Sequence, residues 1–244
     1  MAKRTVSKPD WTANPGERPQ EKCGVFAVHN YTGPDNAAVV TYHGLLALQH
    51  RGQESAGMAF CDQKGMQVIK NMGLVDQVFS RRELDAIIAP SIIGHVRYST
   101  TGSSILANAQ PLIARSYNQG GIALAHNGNL TNTRRLYNKL LDEGQIFHTT
   151  SDTEIMLTYL FRYRRSGLAA AVNKTMRLIE GAYDLGALPL GKLMAYEQHI
   201  DILNGAHAVR PPLVFLFPVP LRPSGWMAAA SPTGLSALTP SIGR

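Results

Sequence analysis

Cysteine is scarce in this chain of 244 residues; there are two, Cys23 and Cys61. With so few thiols and no secretory signal, a disulfide framework is excluded and a reducing, cytoplasmic setting is expected. Residues 1–22 carry basic groups but no apolar core of the kind a secretory signal needs. Long hydrophobic runs are also missing: none reaches the roughly 18 residues that cross a bilayer, so no membrane partner is expected. The eight histidines are scattered without metal-ligand spacing, which argues against a metal site. The formal net charge of +7 is spread along the chain, and its densest cluster is Arg162, Arg164 and Arg165. A continuous basic stripe interleaved with aromatics is lacking, so a nucleic-acid partner is not expected.

What is present is a hydrophobic content of 44% with 17% charged residues, enough for a soluble core. Residues 1–21 are polar and contain Pro9, Pro15 and Pro19, a composition that builds no core. Alternating apolar positions predict strands over 23–30, 55–61, 66–70 and 91–98, and a hairpin pair over 111–115 and 121–126. Helical spacing predicts helices over 37–49, 131–143, 154–164 and 169–179, with short helical pieces over 74–79 and 82–88. Asp35-Asn36 reads as a cap for the first helix, and Gly52 as its terminating C′ glycine. Ser151-Asp152-Thr153-Glu154 reads as a capping box. Strands in runs, followed by helices, predict an α+β domain with antiparallel sheets and helices packed outside. Beyond Tyr183 most of the prolines accumulate. The stretch Pro-Pro-Leu-Val-Phe-Leu-Phe-Pro at 211–218 is too proline-broken for a central strand.

Five positions offer chemistry. Cys23 heads a strand; taken alone, a cysteine there is more often a small buried hydrophobe than a nucleophile. As the first residue of a mature chain it would differ. An α-amine of pKa about 7.7–8.0 would then stand beside a thiol of about 8.5, a base next to its own nucleophile. Asn127-Gly128, after the strand 121–126, reads either as a tight turn or as a side-chain amide and a backbone N–H aimed at one spot, the donors of an oxyanion hole. Arg97, at a strand's C-terminal end, is either a surface arginine or a bidentate holder of a carboxylate. Asp152 is either a helix cap or an acceptor for a substrate ammonium. Together, Arg97 and Asp152 describe a pocket for an α-amino acid. The loop 99–108, rich in Gly, Ser and Thr, is a candidate lid. His50-Arg51-Gly52 either supports the pocket or only terminates a helix, and the structural reading is preferred.

Several stretches occur in order: Cys23-Gly24-Val25-Phe26, the run from Leu48 to Gly57 containing His-Arg-Gly-Gln-Glu-Ser, Gly94-His95-Val96-Arg97-Tyr98, His126-Asn127-Gly128-Asn129 and Thr150-Ser151-Asp152-Thr153-Glu154. In these the chain resembles the glutaminase domain of the amidophosphoribosyltransferases, over residues 23 to about 183. The resemblance implies the four-layer αββα sandwich of N-terminal-nucleophile hydrolases. It implies that residues 1–22 are a propeptide, removed to free Cys23. It further implies a cysteine-dependent hydrolysis of glutamine through a thioester, with Asn127 and Gly128 as oxyanion hole and Arg97 and Asp152 as glutamine-binding pair. Ammonia would then pass to a phosphoribosyltransferase domain that makes phosphoribosylamine from phosphoribosyl pyrophosphate. That domain, and the Mg2+ that goes with it, have no counterpart in the sequence, so no cofactor is expected here. Family members are homo-oligomers.

The departures begin after Tyr183. Residues 184–244 hold only scraps of the family pattern, at 192–195, 207–214 and 225–231, separated by unrelated residues. A reading frame disturbed beyond the codon for Tyr183 is the simplest account. The alternative readings are an inactive truncated product that at most binds glutamine or a partner, and another amidotransferase of the N-terminal-cysteine type.

Overall fold

The computed structural model describes residues 23–29, 31, 33, 35–98, 103–116, 120–189, 194–198 and 213–216. The leader, residues 99–102 of the predicted lid, and the scraps at 207–212 and 225–231 lie outside them.

Two antiparallel sheets form the centre. The first has the order β1-β4-β2-β3, from β1 (Gly24–Val28), β2 (Ser55–Asp62), β3 (Gly65–Met72) and β4 (Ile92–Arg97). The second has the order β5-β6-β7-β8-β9, from β5 (Leu112–Ser116), β6 (Gly120–Leu130), β7 (Gly181–Pro189), β8 (Met194–Gln198) and β9 (Leu213–Leu216). The helices are α1 (Ala37–Ala47), the short α2 (Val75–Val78) and α3 (Arg81–Ala86), then α4 (Thr133–Asp142), α5 (Asp152–Tyr163) and α6 (Leu168–Met176).

Side-chain parity builds the layers, because successive strand residues point to opposite faces. On the first sheet, Phe26, Val28, Met58, Phe60, Ile92 and Val96 pack with Val40 and Leu45 of α1. Their odd neighbours Val25, Ala59 and Ile93 meet Ala123 and Ala125 of β6 and Leu188 of β7 between the sheets. The even residues Ile122 and Leu124 of β6, with Tyr183 and Leu185 of β7, pack under Leu136, Leu140, Ile155, Leu160 and Val172 of α4–α6. Three apolar seams thus separate four layers, helix, sheet, sheet and helix, as the resemblance implies.

Local signals set most ends. Asn36 caps α1: its Oδ1 accepts from Ala38 N at 2.8 Å. The same side chain donates to the carbonyls of Leu84 and Ile87, which ties α3 to the first helix. Four readings need correction. Gly52 is not a left-handed C′ residue: its φ is −157°, ordinary extended backbone, and α1 closes earlier, at Leu48. The Ser151 side chain caps α5, but Glu154 does not close a capping box. Its carboxylate instead accepts from the backbone N–H groups of His148 and Thr149. Asp152 is the first helical residue rather than the cap. Strand β6 does not end before Asn127-Gly128 but runs on to Leu130, because β7 pairs with it along that whole length.

Strand β7 also crosses residue 183, and β8 and β9 continue the sheet beyond it. The proline-flanked β9 takes an edge, where missing N–H donors cost least.

Candidate active site

The site lies at one end of the gap between the sheets. Parity aims three of the predicted residues there. Cys23 precedes β1 in the phase of Val25; Arg97 ends β4 in the phase of Ile93; Asn127 continues β6 in the phase of Ala123 and Ala125. Register fixes their level, since β1 and β4 pair with Gly24 opposite Val96.

Cys23 is buried, and its thiol donates to the Tyr98 carbonyl at 3.4 Å. Burial pushes the thiol above its ordinary pKa. Arg97 opposes that shift, while Asp152 and Glu54 add to it. With Gly24 opposite Val96, Cys23 and Arg97 stand at the same level of two paired strands, while Asp152 is tied to the end of β6 through Leu130 N.

Arg97 is no surface arginine: it is 3% exposed, and its Nη1 lies 3.4 Å from Glu54 Oε2. Glu54 also accepts from Ser104 Oγ at 2.9 Å. It thereby joins the arginine to the described end of the predicted lid. That end is anchored by Asn108, which is fully buried. Asn108 Oδ1 accepts from Thr150 N at 2.9 Å, and its Nδ2 donates to Thr150 Oγ1 at 2.8 Å. The loop after β4 and the turn before α5 are thus one unit.

Asp152 is 4% exposed. Its Oδ2 accepts from Leu130 N at 3.0 Å, and its Oδ1 lies 3.6 Å from His126 Nδ1. The carboxylate is therefore held against the far end of β6, close beyond Asn127 and Gly128. Gly128 has a φ of +127°, which a side chain at Cβ would strain. Asn127 donates from Nδ2 to Asp184 Oδ2 at 3.0 Å.

The layer beneath is rigid and polar. Gln110 brackets the His126 backbone, accepting from its N at 2.7 Å and donating to its carbonyl at 3.3 Å. His95 reaches across the gap and donates from Nε2 to the same carbonyl at 3.0 Å. Burial lowers the His95 pKa to about 3, so the ring is neutral. His126, also fully buried, is likewise lowered by burial.

Two further residues carry no local signal for their part. Arg51, in the His-Arg-Gly stretch read as structural, donates from Nε to the Cys23 carbonyl at 2.9 Å. A Cβ on Gly52 would stand 2.6 Å from the Val96 carbonyl carbon and 2.7 Å from Arg97 N. The bare glycine thus lets this turn lie on the end of β4, between the cysteine and the arginine. Among the described residues, no group of three or more His, Cys, Asp or Glu could hold a metal ion. None of the described helices is long and apolar enough to cross a membrane.

Comparison with known proteins finds relatives of this chain. Residues 95–188 match a family described as a glutamine amidotransferase domain. The amidophosphoribosyltransferase of Bacillus subtilis (strain 168) is 42% identical over 163 residues, 67% of this chain and 34% of that protein. The amidophosphoribosyltransferase of Methanocaldococcus jannaschii is 42% identical over 165 residues, 67% of this chain and 35% of its own length. Among solved structures, the glutamine phosphoribosylpyrophosphate amidotransferase of B. subtilis, complexed with ADP and GMP, superposes with a TM-score of 0.64. It is 38% identical, with 71% of this chain and 36% of that one covered. A structure described as the allosteric regulatory enzyme of purine biosynthesis gives a TM-score of 0.68 at 37% identity, over 74% of this chain and 38% of that one. The chain thus spans about a third of the length of these relatives. Over that third it is similar to the glutamine amidotransferase part of the amidophosphoribosyltransferases, and it shares the N-terminal-nucleophile hydrolase fold of these structures.

Proposed function

We propose that this chain is the glutamine-hydrolysing part of an amidophosphoribosyltransferase, with Cys23 as nucleophile once residues 1–22 are removed. The observation that carries this reading is a buried thiol and a buried guanidinium on neighbouring strand ends, with a buried carboxylate tied to the end of β6 that carries Asn127 and Gly128. An arginine and an aspartate near a thiol suit the α-carboxylate and α-ammonium of an amino acid whose side chain is to meet the sulfur.

The chemistry follows from the residues. The freed α-amine takes the thiol proton, and the thiolate attacks the side-chain amide carbon of glutamine. Negative charge develops on the amide oxygen, where Asn127 Nδ2–H and the Gly128 N–H are the candidate donors. The tetrahedral intermediate collapses as the C–N bond breaks. The leaving nitrogen takes the proton from the ammonium, and ammonia departs. Water, deprotonated by the same amine, then attacks the thioester carbonyl, and glutamate and the thiol are released. In a full-length enzyme the ammonia would displace pyrophosphate from phosphoribosyl pyrophosphate, giving phosphoribosylamine. Mg2+ belongs to that second reaction. The described residues provide no ligand set for it, and no step above runs through it.

The test is to express the whole chain, determine its N-terminus by mass spectrometry, and measure glutamate release from glutamine. The reading expects a chain beginning at Cys23 and hydrolysis that disappears in Cys23→Ala. An intact leader with no glutamate released would leave at most a glutamine-binding protein.

A further inference from the structure

Asn127 and Asp184 face each other across β6 and β7. Their neighbours in sequence, His126 on one strand and Tyr183 and Leu185 on the other, turn towards the helices, where the His126 and Tyr183 rings meet edge to face. Asn127 and Asp184 therefore share the opposite face, towards the gap between the sheets. Gly186, the next residue of that phase on β7, confirms the direction: a Cβ on it would contact Val25 and Ile93 of the first sheet.

The contact between the two side chains is 3.0 Å, from Asn127 Nδ2 to Asp184 Oδ2. Asn127 is buried, and its Oδ1 has no hydrogen-bond partner. Among the described residues, the carboxylate alone holds the amide by a hydrogen bond. This matters because an asparagine amide has two orientations that exchange N and O. In one, an N–H2 group faces the carboxylate and makes a charge-assisted bond. In the other, two acceptors confront each other. The amide nitrogen carries two hydrogens, so one can be spent on Asp184 while the second stays free for another acceptor.

The geometry points to Asp184 as the positioning residue of the oxyanion hole. It acts through Asn127, selecting the amide orientation in which an N–H rather than a C=O is offered to the oxygen that becomes negative. The sequence carries no signal for it: Asp184 lies 57 positions from Asn127, and only the register of β7 on β6 brings the two together. This inference rests on the glutaminase reading.

Steady-state kinetics on the processed full chain test it, with Asp184→Ala, Asp184→Asn, Asn127→Ala and the double variant. Loss of one oxyanion donor costs on the order of a hundredfold or more in kcat, so partial loss of its orientation is expected to cost about tenfold. Asp184→Ala should show that fall in kcat with the KM for glutamine within about twofold, since ground-state binding is untouched. Asp184→Asn, which keeps an acceptor oxygen, should recover part of the loss. The double variant should be no slower than Asn127→Ala, because one residue acts through the other. An unchanged or raised kcat in Asp184→Ala, or additive losses in the double variant, would overturn the inference. A readout independent of activity is the side-chain amide signal of Asn127 in 15N NMR, identified by its disappearance in Asn127→Ala. Its hydrogens should exchange more slowly in the native chain than in Asp184→Ala; equal rates would overturn the contact itself. If the native chain releases no Cys23-dependent glutamate, the glutaminase reading fails, and the NMR comparison still decides the Asp184–Asn127 bond.

Discussion

Arg51 Nε donates a hydrogen bond to the backbone carbonyl of Cys23 at 2.9 Å. The guanidinium belongs to the short 3-10 turn Gln49–Arg51 that follows α1. It fixes the peptide on the C-terminal side of Cys23, the proposed nucleophile, which a freely hinged chain end would not hold in line with a substrate. A hydrogen bond from a charged donor is worth about 1.5–3 kcal/mol. Arg51→Ala is therefore expected to slow glutamate release by about ten- to a hundredfold. A rate within twofold of the native chain would show that β1 alone holds Cys23 in place.

Arg97 makes a different prediction, one of binding. Its fork can meet a carboxylate through two N–H groups, and lysine offers only a point charge on a flexible stem. Arg97→Lys keeps the charge beside Glu54 and removes the fork. The expected outcome is a KM for glutamine raised by about tenfold or more, with kcat changed less. Isothermal titration of glutamine into the Cys23→Ala chain checks the same loss without turnover.

Gly52→Ala tests packing without backbone strain, since the φ of −157° is open to alanine. The added methyl would meet the Val96 and Arg97 backbone at 2.6–2.7 Å, and backbone in a central strand cannot move aside cheaply. Overpacking of this kind costs about 1–3 kcal/mol. A melting temperature lowered by several degrees is expected in thermal denaturation, together with lower activity, because the turn joins Arg51 to the end of β4.

His95 supplies a pH dependence with a defined sign. Its folded pKa of about 3 lies below the unfolded value, so the native state binds fewer protons in between. Stability from this group is present in full above about pH 6.5 and is lost as pH falls towards 3. Where only this group titrates, the slope is about 1.4 kcal/mol per pH unit. His126, lowered in the same direction by burial, adds to it. Urea unfolding at pH 7, 6 and 5 should show falling stability, and His95→Gln should flatten the dependence. A native chain equally stable at pH 7 and 5 would contradict a neutral, buried His95.

The chain's own pattern determined most elements up to α6 and the packing of helices outside antiparallel sheets; the strands β7–β9 carried no such signal, and the four layers came from the resemblance. Alternation in β1, β2, β4 and β6, and the spacing of Leu136 and Leu140 in α4, act between neighbours in sequence and need no tertiary context. The same locality explains the errors. Asn127-Gly128 has the composition of a turn, yet β7, more than 50 residues later, pairs across it and keeps it in strand. Glu154 has capping-box spacing, yet the turn anchored by Asn108 and Thr150 offers it two better donors.

The residue types of the candidate site were legible as well: Cys23, Arg97, Asn127, Gly128 and Asp152 stand in the stretches that carry the resemblance. Their supports were not. Arg51 on the Cys23 carbonyl, Glu54 between Arg97 and Ser104, Gln110 around His126, and Asp184 on Asn127 join segments up to 57 residues apart. Such contacts leave no periodicity, because they depend on which strands pair and in what register. Sequence alone determined which chemical groups are available and which faces are apolar. Only the tertiary structure decided which groups meet, since burial in the gap between two sheets obliges each polar side chain there to find its partner on another strand.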